Sequence, residues 1–125
     1  MSNPFVWADI PCTDLARAMK FYGHVTGRKV FSPPGMEDLG LFEPGMDGSP
    51  TISADLYLGG TPSHDGVTIY LGSEGDIDGM AARIVEAGGR ILLEKQFMGD
   101  MVGWIVFAED TEGNRIGIQQ PADGK

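Results

Sequence analysis

The sequence predicts an α+β fold built from two tandem copies of one small module, strand–helix–strand–strand–strand. Three observations carry this. The chain has 125 residues, 42% hydrophobic and 22% charged, which suits one soluble globular domain spanning 1–125. The pattern of about 5–58 restarts at about 66–120, after a linker-like stretch at 59–65 (Gly-Gly-Thr-Pro-Ser-His-Asp). The two halves agree at a fixed offset: Asp14-Leu15 falls over Asp76-Ile77, Tyr22 over Ile84, Gly27 over Gly89, Arg28 over Arg90 and Val30 over Leu92. The 19 glycines fit the many tight connections that two short five-element modules need.

Each element has a local reason. Residues 5–10 (Phe-Val-Trp-Ala-Asp-Ile) form a strand stopped by Pro11. Thr13 and Asp14 cap a helix whose apolar positions are Leu15, Ala18, Met19, Tyr22 and Val25, ended by Gly27. A strand at 28–32 stops at Pro33-Pro34-Gly35, and two more are expected near 37–42 and 51–58, separated by a turn-rich loop at Pro44–Pro50. In the second half, a strand at 66–71 precedes a helix capped by Asp76, with Ile77, Met80, Ala81, Ile84 and Val85 on its apolar side and Gly88-Gly89 at its end. Strands follow at about 90–96, 102–108 and 115–120.

Composition excludes several functions. With 9 Lys and Arg against 18 Asp and Glu the formal net charge is -9, so this acidic protein repels nucleic acid and anionic membranes, and neither is expected as a partner. A cationic or neutral small molecule is allowed. The one cysteine, Cys12, excludes an internal disulfide framework, a zinc ribbon and a CxxC redox site. The N-terminus has neither the basic start nor the apolar run of a signal peptide, and no apolar run reaches the roughly 18 residues of a membrane span, so a cytoplasmic location is expected.

Side-chain parity separates the faces of each strand. In the first strand Val6, Ala8 and Ile10 suit packing under a helix, while Phe5, Trp7 and Asp9 suit a concave face with one polar anchor. In the second half Thr68 and Tyr70 face the concavity and Val67, Ile69 and Leu71 pack inward. Ile116 and Ile118 are helix-side, opposite Arg115, Gly117 and Gln119. Trp104 alternates with Val106, opposite Ile105 and Phe107, so both faces of that strand are apolar. The candidate ligand-binding residues are therefore Phe5, Trp7 and Asp9 from the first strand and Tyr57 from the fourth. Thr68, Tyr70, Trp104 and Gln119 join them from the second half.

Asp9 reads either as a polar anchor or base with a raised pKa in an aromatic surround, or as a sheet-edge carboxylate bonded to backbone or an arginine. Asp55 is a second candidate carboxylate, on a strand whose cleft-facing side the pattern leaves open. His24, near a helix end, and His64, in the linker, read as surface residues. Cys12 reads as a structural thiol, about 18 Å from His24 along a straight helix. Met36, Met46, Met98 and Met101 lie in or beside loops, with Gly99-Asp100 read as a mobile segment. They read as loop residues tucked against the domain or a partner, or as an adaptable apolar surface.

Asp14-Leu-Ala-Arg-Ala-Met-Lys-Phe-Tyr22, followed by Val25-Thr-Gly27, resembles the first-helix signature of the vicinal oxygen chelate superfamily (glyoxalase I, bleomycin-resistance proteins and extradiol dioxygenases). Asp110-Thr-Glu-Gly-Asn-Arg-Ile116 resembles that family's turn into its last strand, and Trp7-Ala-Asp-Ile-Pro11 and Tyr70-Leu71 fit as well. The resemblance covers nearly the whole chain. It implies two βαβββ modules whose sheets curl around a cleft, and a homodimer in which both chains can build the cleft.

The resemblance also implies one divalent metal held by His, Glu or Gln. Those positions fall here on Trp7, near Thr68 and on Gly117, none of which is a good ligand, with Asp55 alone nearby. No cofactor and no metal is therefore expected. The reading is a metal-independent small-molecule-binding protein of the glyoxalase/bleomycin-resistance type, for a cationic or aromatic ligand. The alternatives are a glyoxalase-like enzyme using Asp9, Asp55 or a non-standard metal site, and a dimeric accessory protein with a vestigial cleft.

Overall fold

The computed structural model describes residues 4–43 and 53–124; the expected loop at Pro44–Pro50, with Met46, lies outside the described residues. Module one comprises β1 (Trp7–Cys12), α1 (Leu15–Thr26), β2 (Val30–Phe31), β3 (Leu39–Phe42) and β4 (Ser53–Leu58). Module two comprises β5 (Ile69–Gly72), α2 (Ile77–Glu86), β6 (Arg90–Phe97), β7 (Trp104–Glu109) and β8 (Arg115–Gln120). The predicted two-module α+β order is the order found.

Topology repeats as well. The sheets run β1-β4-β3-β2 and β5-β8-β7-β6. In each, the last strand of the module inserts beside the first and pairs with it in parallel, and the remaining pairs are antiparallel. β1 and β5 are thus edge strands, and neither sheet closes among the described residues.

The helices begin where the sequence places their caps. Asp14 Oδ1 accepts from the Arg17 N–H at 3.1 Å, and Asp76 Oδ1 from the Gly79 N–H at 3.0 Å. Gly27 ends α1 at φ 70°, the left-handed geometry that glycine adopts without penalty. In α2 the left-handed residue is Gly88, at φ 100°, not Gly89. Gly89 serves close packing instead: a Cβ there would stand 2.5 Å from the Glu109 carbonyl oxygen and 2.9 Å from Phe21 Cε1.

One core joins the modules. Ile10, Cys12, Ala18, Tyr22, Val25 and Leu56 of module one and Ile77, Met80, Ile84, Val106, Ile116 and Ile118 of module two form a single buried cluster. Phe21, absent from the predicted apolar stripe, is buried with them, because α1 packs against α2 as well as against its own sheet. One other expectation changes. Val67 does not pack inward; it precedes β5 and is 88% exposed, while Ile69 and Leu71 do pack against the core. In the turn that carries Gly99-Asp100, the Met98 N–H donates to the Gly103 carbonyl at 2.7 Å and the Gly103 N–H to that of Gly99 at 2.7 Å.

The turn at 110–114 latches module two onto the start of α1. That helix has no acidic residue in its first turn, so its free N–H groups need outside acceptors. Glu112 supplies them: its carboxylate accepts from the backbone N–H of Thr13 (2.8 Å) and Asp14 (2.9 Å) and from Arg17 Nε (2.7 Å). Burial acts to raise the Glu112 pKa, but the bonds from Arg17 and from the Asp14 and Thr13 backbone outweigh it and bring it down to about 2. Beside it, the Tyr22 hydroxyl donates to Asp110 at 2.6 Å, and Asn114 Nδ2 donates to the Pro11 carbonyl at 2.8 Å. No helix of the described residues is long and apolar enough to cross a membrane.

Candidate functional site

A cleft of about 1440 Å³ opens between the edge strands, with Trp7 to Pro11 of β1 on one wall and Ile69 to Gly72 of β5 on the other. The register of β1 with β4 sets what faces it. Asp9 is the direct partner of Asp55 and Pro11 of Tyr57, so Trp7, Asp9, Asp55 and Tyr57 share one face, with Leu41 beside Asp55 on β3 and Phe31 beyond it on β2. Ala8, Ile10 and Leu56 point the other way, under α1.

On that face lies a carboxyl pair in an apolar surround. Trp7 Nε1 donates to Asp55 Oδ2 at 2.8 Å. Trp7 is 51% exposed, whereas Asp55 is 5% exposed and its Oδ1 is buried with no hydrogen-bond donor. Burial raises the Asp55 pKa; the Trp7 N–H opposes this, and the Asp9 carboxyl within hydrogen-bonding reach raises it further. Among the described residues no cationic side chain acts on Asp55. Asp9 itself is exposed on the cleft wall. Among the described residues its neighbour is therefore another carboxyl group, and no backbone or arginine partner of the alternative reading is found.

The matching face of module two is chemically different. Arg115 donates to the Thr68 hydroxyl through Nε (3.1 Å) and Nη2 (2.8 Å), and its guanidinium lies 5.3 Å from the centre of the Phe107 ring. Tyr70 packs on Phe107 with ring centres 5.9 Å apart and lies over Gly117, where any Cβ would run into the Tyr70 ring.

The other sequence candidates are placed as follows. Phe5 precedes β1 and lines the cleft, as do Thr68 and Tyr70. The Tyr57 hydroxyl lies where a Cβ on Gly60 would be, beside Pro11. Gln119 lies away from the cleft and donates to the Val102 carbonyl at 2.6 Å, beside a separate hollow of about 350 Å³. Trp104 is on the row with Val106 and Ala108 that faces the core, its ring tilted against Phe97 with centres 5.0 Å apart and Lys95 Nζ 5.3 Å from it. It does not line the cleft, because β7 pairs with β8 in a register that turns Ile105 and Phe107 to the concave side. His64 is not a free linker residue: its Nε2 meets Glu109 Oε2 at 2.5 Å. His24 Nε2 meets Glu86 on α2 at 3.0 Å. Cys12 is buried and donates weakly to the Tyr57 carbonyl; burial first, then Glu112, Asp110 and Asp14, push its pKa up to about 11, far from a nucleophilic thiolate. Met36, Met98 and Met101 are exposed, Met101 fully, and so are not tucked against this chain.

Residues 5–118 match the model of the Glyoxalase/Bleomycin resistance protein/Dioxygenase superfamily. The chain belongs to that superfamily. Its fold is shared by a glyoxalase/bleomycin resistance protein from Albidiferax ferrireducens T118 (20% identity, TM-score 0.72, covering 94% of this chain and 98% of that one). A glyoxalase-related enzyme from Fulvimarina pelagi is similar (16% identity, TM-score 0.70, 94% and 88%). So is a mutant of the fosfomycin resistance protein FosX from Listeria monocytogenes, whose structure contains Mn(II) and a dihydroxypropylphosphonic acid (12% identity, TM-score 0.66, 95% and 90%). No curated protein matches the chain.

The residues present do not fit the divalent metal that the resemblance implies. Trp7 offers an N–H donor that is already bonded to Asp55, the Thr68 hydroxyl faces the Arg115 cation, and the Tyr70 ring fills the space over Gly117. Among the described residues no group of three or more His, Cys, Asp or Glu side chains is placed to hold a metal. Two carboxyl groups are too few for a site of three or four protein ligands.

Proposed function

We propose that the protein binds a small organic molecule, cationic or aromatic, in the cleft beside Trp7, and does so without a metal, as a cytoplasmic homodimer. The observation that carries this reading is the Asp9 carboxyl on the cleft wall, directly beside the buried Asp55, whose Oδ1 lacks a donor among the described residues. Buried polar groups are normally satisfied, and an exception directly beside an exposed cleft carboxyl makes that pair a natural anchor for a ligand's own donor. Dimerisation is supported by the exposed apolar side chains of Val6, Phe97, Met98, Met101 and Val102. The same raised carboxyl favours a second reading, a metal-independent enzyme in which the Asp9–Asp55 pair moves a proton on the bound molecule.

Trp7 is the reporter. In a Trp104→Phe background, organic cations and neutral aromatics are titrated while emission is followed. Saturable quenching supports binding at this wall, and emission indifferent to every compound contradicts it. Nickel or zinc that raises the melting temperature, reversed by chelator, contradicts metal independence. Turnover of a ligand so found, abolished in Asp9→Asn, selects the enzyme reading.

A further inference from the structure

We propose that Asp9 and Asp55 form a one-proton dyad, and that an alkylammonium group of the ligand binds against Asp9 in exchange for that proton. This rests on the cleft-binding reading above and names both the ligand chemistry and its linkage to pH.

The geometry supports the dyad in three ways. Asp9 and Asp55 are direct partners across the parallel β1–β4 pair, so their side chains emerge side by side on one face. Asp55 is 95% buried by its 5% exposure, and its Oδ1 has no donor among the described residues. The Trp7 N–H occupies the other oxygen, Oδ2. A proton between Asp55 Oδ1 and the Asp9 carboxyl removes this deficit, since a protonated carboxyl becomes a donor and its neighbour accepts. Two carboxylates in contact cannot both hold full charge cheaply.

The described residues offer no substitute for that proton. On the same face, β3 presents Leu39 and Leu41, β2 presents Phe31, and β4 presents Tyr57. The charged groups of the shared cleft, Arg28, Glu43, Glu74 and Arg115, do not act on Asp55. Arg28 is directed to the Glu43 carbonyl and Glu74, and Arg115 to Thr68. The same setting selects the ligand. An ammonium group supplies the missing positive charge and several N–H donors, and Trp7 and Phe31 supply apolar and cation–π contact for its carbon skeleton. Once the cation is in place the pair is stable with both carboxyls ionised. The proton leaves to buffer, and no bond other than that O–H is broken.

The test uses the full chain and 2-phenylethylammonium, with neutral 2-phenylethanol as control. A carboxyl 13C titration of the free protein first locates the Asp55 midpoint. Calorimetry just below that midpoint, in phosphate and in Tris, then counts protons. The expected result is release of about one proton per cation bound, with none for the alcohol. Asp55→Asn keeps an oxygen for the Trp7 N–H and gives Asp9 a permanent N–H donor, so it should fold, bind the cation and release no proton. Asp9→Asn should weaken the cation about 10- to 100-fold.

Cation binding without proton release overturns the dyad and leaves the cleft reading standing. Binding of the alcohol but not the cation overturns the ammonium assignment and leaves the cleft reading standing. If neither compound binds while Asp55 shows its raised midpoint, the ligand part of the proposal and the cleft reading fall together, and only the shared proton survives.

Discussion

Glu112 and Asp55 are both buried carboxyl groups, yet their surroundings act on them in opposite directions. Glu112, whose side chain is fully buried, accepts six hydrogen bonds from Thr13, Asp14, Arg17 and Thr111, and its pKa falls to about 2. Asp55 accepts one, from Trp7, faces another carboxyl group, and is raised. Burial pushes both upward, so the number of donors decides the sign. Module two spends its acidic turn holding the modules together. Module one leaves the buried Asp55 unsatisfied beside Asp9, which lines a cleft. The contrast separates a structural carboxylate from a candidate binding group on physical grounds, where composition shows only a net charge of -9.

The largest effect is expected from breaking the satisfied side. Glu112→Ala should cost about 3 kcal/mol in urea unfolding at neutral pH, the scale of removing the charged acceptor from a cluster of hydrogen bonds to backbone and arginine. Because the folded pKa is depressed, this stability is present above the unfolded value of 4.5 and is lost as pH falls from there through about 2. An unfolding profile that is flat across that window, or one unchanged by the substitution, removes the latch from the account.

Next in size is Gly117→Glu, which puts a carboxylate where the family resemblance expects a ligand. It must displace the Tyr70 ring, so a loss of about 1–3 kcal/mol is expected. Nickel should not restore it, since Trp7 and Thr68 remain non-ligands. Recovery of melting temperature with nickel breaks the argument that this site cannot hold a metal.

Asp55→Asn should act with the opposite sign to Glu112→Ala. A raised carboxyl means that the folded state binds its proton more tightly than the unfolded chain, so stability declines as pH rises through the folded pKa. Asparagine removes that decline and satisfies Asp9, for a gain on the order of 1 kcal/mol at neutral pH. Destabilisation of that size or more shows instead that the native pair is already satisfied. The smallest effect belongs to Trp104→Phe, which should leave ligand quenching of Trp7 unchanged, because Trp104 faces the core. A lost response places the ligand on the other face of β7.

Much of the fold is legible because its signals are local. Asp14 and Asp76 cap their helices, Gly27 ends the first one, and the offset between the halves reproduces a repeated strand order. What escapes the sequence depends on partners far along the chain. The facing of Asp55 is set by its parallel pairing with Asp9, 46 positions away, and no alternation within β4 reveals it. The row of Trp104 is ambiguous because both faces of β7 are apolar, and only its register with β8 decides. Phe21 is different: it shares the buried face of Ala18, Tyr22 and Val25 at helical spacing, so the local pattern itself contains it. The role of Glu112 left one faint trace, a helix start with no acidic residue in its first turn and hence a need for acceptors from elsewhere.

The comparison rests on two carboxyl groups that can be followed in one experiment. A 13C titration of the side-chain carboxyls, with Asp55 and Glu112 assigned through Asp55→Asn and Glu112→Gln, should place Asp55 above the ordinary aspartate value of 3.8 and Glu112 near 2. An Asp55 midpoint at or below 3.8 would contradict the account, because it would mean that the buried carboxyl beside Asp9 already has the donors it is held to lack.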